Sequence, residues 1–403
     1  MKRNVGSTVL FGMFIGSVAQ AANPLPVPVF TFTCDGNGAG RGHCPNGGRP
    51  DWIIQGSDGN FYGAAWDSLE GSSQPQGGTI FSLTPTGTFT LLHSFPPGSK
   101  NSYPSGDNPM NLIEGPDANL YGLTAAGGSR NDGVVFRIGR DGSDFTILHE
   151  FCSYANCADG AGPGFLVSAQ DGNIYGTAGE GADQYGVIFR IAPSTGAYTI
   201  VVTLNGTLSQ NYPTALTLGT DGSLYGLQGE ALFRFNPSTG DFHEALLPFP
   251  IVNQLPSVPT SVLTLGPNGN FYGLYTIYPE LGSGVFEVAP DGSNFQLFAE
   301  YSAGRGNTGN LLLASDGNFW LAEYNNGPTA YGDIVKLSPS DGTLLETVAT
   351  FTATDAAGAY PAALIQAKGG NLWGGTQSFG KASKGSFADG AIFSLNAGLP
   401  PSQ

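Results

Sequence analysis

The sequence predicts an all-β protein: a seven-bladed β-propeller of four-stranded antiparallel blades, with the last blade closed by the N-terminal strand. Three observations lead there. A six-residue motif recurs seven times at near-constant spacing. Each copy sits in the same succession of short apolar runs and tight turns. The seventh unit stops one strand short, and a strand of the missing kind stands near the start of the chain.

The motif is clearest at Asp171-Gly172-Asn173-Ile174-Tyr175-Gly176. Its aromatic position is filled by Tyr62, Tyr121, Tyr175, Tyr225, Tyr272, Trp320 and Trp373, at separations of 59, 54, 50, 47, 48 and 53 residues. A unit of that length, repeated, marks a solenoid, propeller or array rather than separate domains. Within the third unit, Phe165–Ser168 reads as strand a, Asp171-Gly172 as a tight turn, Asn173–Ala178 as strand b, Val187–Ile191 as strand c and Tyr198–Leu204 as strand d. The turn needs a residue tolerant of positive φ, which Gly supplies, while Asp bonds the backbone ahead of it. Four such strands make one propeller blade.

The core positions follow from register. Five residues before the turn stand Ile53, Leu112, Leu166, Leu216, Leu263, Leu311 and Leu364; strand c carries Phe81, Phe136, Phe189, Phe233, Phe286, Val335 and Phe393. These columns, and the motif aromatics, are read as packing between blades. The last unit has strands a, b and c only. Val27–Thr33 resembles the strand d of other units and is expected to complete it, which removes an open sheet edge.

At the N-terminus, Lys2 and Arg3 precede the apolar run Val9–Val18 and the small-x-small site Ala19-Gln20-Ala21. That is the pattern of a secretory leader cleaved near Ala21, leaving residues 22–403 as one propeller domain. The run is too short for a stable membrane span. No Cys follows the cleavage site and no apolar tail ends the chain, so a freely soluble monomer, extracellular or periplasmic, is expected. Four cysteines in an exported chain favour disulfides, and proximity favours Cys34–Cys44 and Cys152–Cys157. Charged residues make up only 11% of the chain, and the net charge is -16. Such a surface repels phosphate backbones, so nucleic acid is not expected as a partner.

The pattern Asp-Gly-Asn-x-Tyr-Gly, then a Gly-rich loop, Gly-x-Val/Ile-Phe and Pro-x-Gly, resembles the GloVer-type tandem repeat proteins over nearly the whole mature chain. The resemblance implies export and a propeller-like architecture; it implies no reaction. The strand order also looks like that of seven-bladed streptogramin lyases, at the level of fold alone.

Because strand direction alternates, the a–b and c–d turns lie on one face and the longer b–c and d–a loops on the other. The loop-rich face, around the channel mouth, is where a site is expected. Glu180 and Glu230 share a register with Asp67 there. Paired carboxylates suit calcium or a glycosidase-type acid and base; solvated hairpin ends on an acidic chain are the plain alternative. Trp66, Arg130, Tyr185, Tyr275, Tyr278, Arg305, Glu323 and Tyr324 are further loop candidates, suited to a carbohydrate, peptide or protein. No cofactor is expected, and calcium is the metal these groups would fit. The sequence carries no nucleophile elbow, phosphate loop, zinc spacing or EF-hand. The reading is a secreted binding module, with a polysaccharide lyase or hydrolase, and a structural envelope protein, as the alternatives.

Overall fold

The computed structural model describes residues 24–35, 44–66, 77–96, 105–179, 185–204, 213–249, 251–252, 255–259, 262–277, 282–298, 310–324, 329–378 and 386–402. The expected leader, Asp67, Glu180, Tyr278 and Arg305 lie outside these residues. No helix among the described residues is long and apolar enough to cross a membrane.

Seven antiparallel sheets form the ring. Blade 1 runs Gly48–Gln55, Phe61–Trp66, Thr79–Leu83, Phe89–Ser94. Blade 2 runs Asp107–Glu114, Leu120–Ala126, Val134–Ile138, Thr146–Glu150. Blade 3 runs Ala161–Ser168, Ile174–Gly179, Val187–Ala192, Ala197–Thr203. Blade 4 runs Thr217–Leu218, Leu224–Gln228, Ala231–Phe235, Phe242–Leu246. In blade 5, Leu255–Pro259 and Thr264–Leu265 both pair with Phe271–Ile277, followed by Gly282–Val288 and Gln296–Leu297, and a short strand Ile251–Val252 is added outside the pattern. Blade 6 runs Leu312–Leu313, Phe319–Glu323, Asp333–Leu337, Leu344–Thr350. Blade 7 takes Ala359–Gln366, Leu372–Ser378 and Ser386–Leu395 from the C-terminal end and Val27–Asp35 from the N-terminal end. The closing strand is therefore where the sequence places it.

The core lies between blades rather than within them. One apolar cluster occupies each junction. Tyr121, Leu123 and Phe151 of blade 2 meet Leu166, Ile174 and Phe189 of blade 3, and at the closing junction Phe32 and Trp373 meet Ile53, Phe61 and Phe81. The Cys34–Cys44 bridge ties the closing strand to the entry of blade 1, and Cys152–Cys157 ties the loop between blades 2 and 3.

Three repeated contacts explain the motif. First, the Gly of strand b faces the Phe of strand c in register, as in Gly63↔Phe81, Gly122↔Phe136, Gly176↔Phe189, Gly226↔Phe233, Gly273↔Phe286 and Gly374↔Phe393. A Cβ on Gly176 would collide with the Phe189 ring. Blade 6 holds Leu321↔Val335 at this place: volume has moved from strand c to strand b, and the space stays filled.

Second, the motif Tyr hydroxyl donates to the turn carboxylate, at 2.8 Å for Tyr62 to Asp58 and Tyr175 to Asp171, 2.9 Å for Tyr121 to Asp117 and 3.0 Å for Tyr225 to Asp221. Burial pushes the Asp171 carboxyl up, but hydrogen bonds from Asn173 and Tyr175 outweigh it and hold the group below its ordinary value. Strand c faces this turn with Arg137, Arg190, Arg234 or Lys336. In blade 5 the turn residue is Asn268 and strand c carries Glu287, which accepts from Tyr272 at 2.9 Å and from Asn268 at 2.7 Å. The carboxylate has changed strands and the buried hydroxyl keeps its acceptor.

Third, a proline in strand a of one blade seats on the glycine that ends the b–c loop of the blade before. Pro109 covers Gly78, Pro163 covers Gly133, Pro213 covers Gly186, Pro361 covers Gly332 and Pro50 covers Gly390. A Cβ on Gly186 would lie 2.7 Å from Pro213 Cδ, and Gly186 also has φ +103°. Beside the proline, a backbone N–H crosses the junction: Asn108 to Gly77 O at 3.0 Å, Gly162 to Asp132 O at 3.2 Å and Tyr360 to Tyr331 O at 2.8 Å.

Two outcomes are expected. Phe32→Ala costs about 3–5 kcal/mol of unfolding free energy, and removal of Val27–Asp35 exposes a sheet edge and gives aggregation visible by light scattering; unchanged unfolding would mean that the ring is closed in another way. Gly176→Leu alone destabilises by about 1–3 kcal/mol, and adding Phe189→Val recovers at least half of that loss in denaturant unfolding, because the pair then copies blade 6.

Candidate functional site: the central channel

Strand a is the innermost strand of each blade, so side chains on its inner face line the central channel. A cavity of about 350 Å³ opens there, within the size range of small-molecule sites. Blade 1 contributes Asp51, Trp52 and Trp66; blade 2 gives Met110, blade 3 Phe165, blade 6 Asn310, and blade 7 Ala362 and Gln377. Five blades meet at it, which makes it the axial site of the ring.

Its wall is mostly apolar and rigidly held. Trp52 donates its indole N–H to Leu112 O of blade 2 at 2.8 Å, and its ring lies 5.4 Å from the Phe165 ring of blade 3. Trp66 ends strand b of blade 1; its indole Nε1 is buried and has no hydrogen-bond partner among the described residues. Asp51 accepts a hydrogen bond from Gln377 Nε2 at 2.5 Å. Burial pushes the Asp51 carboxyl up to about 6, against the opposing pull of the Gln377 bond and the Arg49 charge. The result is a carboxyl that titrates about one pH unit below neutrality, set among three aromatic rings and two amides.

Asp51 and Gln377 were not among the expected site residues. The signal for Asp51 was a column in strand a. Two residues before the core Leu or Ile stand Asp51, Met110, Gly164, Thr214, Ser261, Gly309 and Ala362, and blade 1 carries a charge where the others do not.

Of the expected site residues, Trp66 lines the cavity. Tyr324 sits beside it on the loop-rich face, stacked on Tyr360 with ring centres 5.0 Å apart. Tyr275 and Glu323, expected on loops, are in strand b and buried, at 2% and 4% exposure. Both stand three residues after the motif aromatic, the register of Ala178, so the repeat itself places them in strand b rather than in the loop. The Tyr275 hydroxyl donates to Phe298 O at 3.3 Å. Arg130 is exposed in the b–c loop of blade 2, away from the cavity lining. Tyr185 stands ahead of strand c of blade 3, where its carbonyl accepts from Gln228. Glu230 occupies a tight hairpin between Leu224–Gln228 and Ala231–Phe235, and its carbonyl accepts from Leu247 N–H at 2.8 Å. It does not line the cavity.

Other clusters have structural explanations. Asp159 is fully buried and accepts from Ser153 N–H and Oγ at 2.9 and 2.7 Å, from Tyr154 N–H at 3.0 Å, and meets His149 Nε2 at 3.0 Å. The Ser153 hydroxyl is spent on Asp159 rather than on His149, and Tyr198 covers the imidazole at 3.6 Å; the trio fastens the Cys152–Cys157 loop. Asp132 lies near those two sulfurs, but a disulfide offers no thiolate to a metal. A hollow of about 270 Å³ between blades 4 and 5, beside Ala245, arises where a ring is missing. The same strand d register carries Phe30, His93 and His149, stacked on Phe89, Phe145 and Tyr198 of the next blades.

A family model described as the Gloeobacter/Verrucomicrobia repeat matches residues 12–232, more than half of the 403-residue chain. The chain belongs to the Gloeobacter/Verrucomicrobia repeat family. No curated protein matches the sequence. Among solved structures, this family member is similar to a polysaccharide lyase of family PL25, an ulvan lyase, at TM-score 0.57 and 11% identity, over 91% of this chain and 95% of that one. It is also similar to the extracellular domain of a B. thetaiotaomicron protein named as a hybrid two component system, at TM-score 0.53 and 13% identity, over 88% of this chain. The chain spans 40% of that protein's chain. At such identities the likeness is one of fold.

The raised Asp51 carboxyl sets a pH dependence. Its folded pKa lies above its unfolded one, so the folded state holds the proton more tightly between about pH 4 and 6. Stability from this group is full below the unfolded value and lost as pH rises through 6. Asp51→Asn is therefore expected to raise Tm relative to the native chain at pH 7–8, with the difference vanishing below pH 4; thermal unfolding of both proteins across pH 3–8 checks it.

Proposed function

We propose that the protein is an exported propeller that binds a neutral carbohydrate in its central cavity. One observation carries the reading: the Trp52, Trp66 and Phe165 rings stand around the cavity together with Asp51, Gln377 and Asn310. Flat apolar rings suit the C–H faces of a sugar, and planar carboxyl and amide groups suit its hydroxyls. The buried Trp66 Nε1, without a hydrogen-bond partner among the described residues, supplies a donor for a ligand oxygen. The net charge of -16 disfavours polyanionic glycans and leaves neutral ones. The leader-like N-terminus and the two disulfides agree with an extracellular or periplasmic setting.

One observation favours a second, catalytic reading. A carboxyl near 6 is suited to give up a proton near neutral pH, so a polysaccharide lyase or hydrolase would use Asp51, not Glu230, as its proton-handling group. Turnover of a bound glycan by the native chain and its loss in Asp51→Asn would distinguish catalysis from binding alone.

The binding reading is tested by calorimetric titration with neutral oligosaccharides. Trp66→Ala is expected to weaken binding at least about tenfold, as loss of an aromatic anchor worth 1.4 kcal/mol or more does, while Tm stays within a few degrees. Binding undiminished in both Trp66→Ala and Asp51→Asn, or no neutral glycan bound by the native chain, would sink it.

A further inference from the structure

At four junctions between blades the residue before the strand a proline is held in the left-handed region. Blade 2 places Asn108 there with φ 54° and blade 3 places Gly162 with φ 57°, the residue types that tolerate this conformation. Blades 1 and 7 depart from that choice. They place Arg49 with φ 47° and Tyr360 with φ 59°, although a bulky side chain at positive φ is an outlier and a following proline disfavours compact backbone. Strain of this kind collects where a side chain is needed for a ligand.

The two outliers are neighbours in the ring, on the two blades that supply the Asp51–Gln377 pair. Arg49 is two residues from Asp51 on one strand, and Tyr360 precedes Pro361 and Ala362 at the cavity wall. Tyr360 stacks on Tyr324, with ring centres 5.0 Å apart and planes at 29°. Arg49 stands 4.0 Å from Asp389 with about a third of its side chain open. A guanidinium fork has five donors, more than the ion pair with Asp389 uses, and the side chain is partly open to solvent. The rim beside the cavity thus carries an aromatic platform and a fan of donors, with Asp389 and Asp51 offsetting the Arg49 charge.

We infer that the ligand is a chain of at least two neutral sugar units, the first in the cavity and the next held over the rim by Arg49 and Tyr360. The inference rests on the carbohydrate reading of the cavity. It explains why two adjacent blades keep strained, large side chains at a place where blade 2 folds with Asn.

The test uses the purified mature protein, with Arg49→Asn, Tyr360→Asn and the double variant, titrated with cello-, xylo-, manno- and malto-oligosaccharides of one to six units. Asn is native to this backbone position in blade 2, so each variant is expected to keep or raise Tm, by about 1–2 °C. For the sugar series that binds, the native chain is expected to gain at least tenfold in affinity from one unit to the longer chains. The variants keep the one-unit affinity and lose most of that gain. A lowered Tm with long-chain affinity intact would make Arg49 and Tyr360 structural and overturn the inference. Equal affinity of the native chain for one unit and for longer chains would overturn it while leaving the cavity reading in place. No binding at any length would remove both.

Discussion

The contact on which the ring depends is the seating of a strand a proline on the glycine that closes the preceding b–c loop. Each partner requires the other. The glycine must have positive φ and no side chain, and the proline must forgo an N–H where the strand turns inward, so the crossing hydrogen bond comes from the residue before it. At four of the junctions the residue before the proline is left-handed, Arg49, Asn108, Gly162 and Tyr360, and the register of strand a shifts beside the proline. Five junctions carry the pair, from Pro109 on Gly78 round to Pro50 on Gly390. The channel wall inherits its geometry from them, because Asp51, Met110 and Ala362 each follow such a proline directly.

Much of this was legible before any coordinates. The Asp-Gly-Asn-x-Tyr-Gly turn, the Leu and Phe columns, both disulfide pairings and the closing strand could be read because each is a local pattern or a repeated one. The candidate site was not legible, for two physical reasons. Chemistry is expected on loops, whereas the cavity is lined largely by strand residues at the ring axis; Asp51 and Gln377 are both in strands. The strand a bulge also breaks the alternation of faces, so Asp51 and Trp52, consecutive in sequence, both line one cavity, which a period-two reading forbids. Tyr275 and Glu323 are a different case: both stand at the register of Ala178, three residues after the motif aromatic, so the repeat places them in strand b and buries them.

The repeats also show how such a ring tolerates change. Blade 6 trades Gly and Phe for Leu321 and Val335, and blade 5 trades a turn Asp and a strand c base for Asn268 and Glu287. In both, what is preserved is a physical quantity, filled volume in one and an acceptor for a buried hydroxyl in the other, rather than a residue. Blade 1 is different in kind. Asp51 compensates nothing; it introduces a poorly solvated carboxyl into a strand a column whose other members are uncharged, and burial raises its pKa in consequence. An uncompensated departure from the repeat therefore marks this blade as specialised.

The closing strand has a consequence for the order of events in the cell. Val27 pairs with Ser394, and Thr31 with Ala391, so the strand that closes the ring is made long before its partner. Until then blade 7 has no outer strand, the seventh junction has no Phe32, and an edge stays open. Ring closure thus waits until the strands of blade 7 have been made. The two halves of the closing junction are therefore joined only after every other blade has been made, so a chain cut short before blade 7 would keep an unpaired edge.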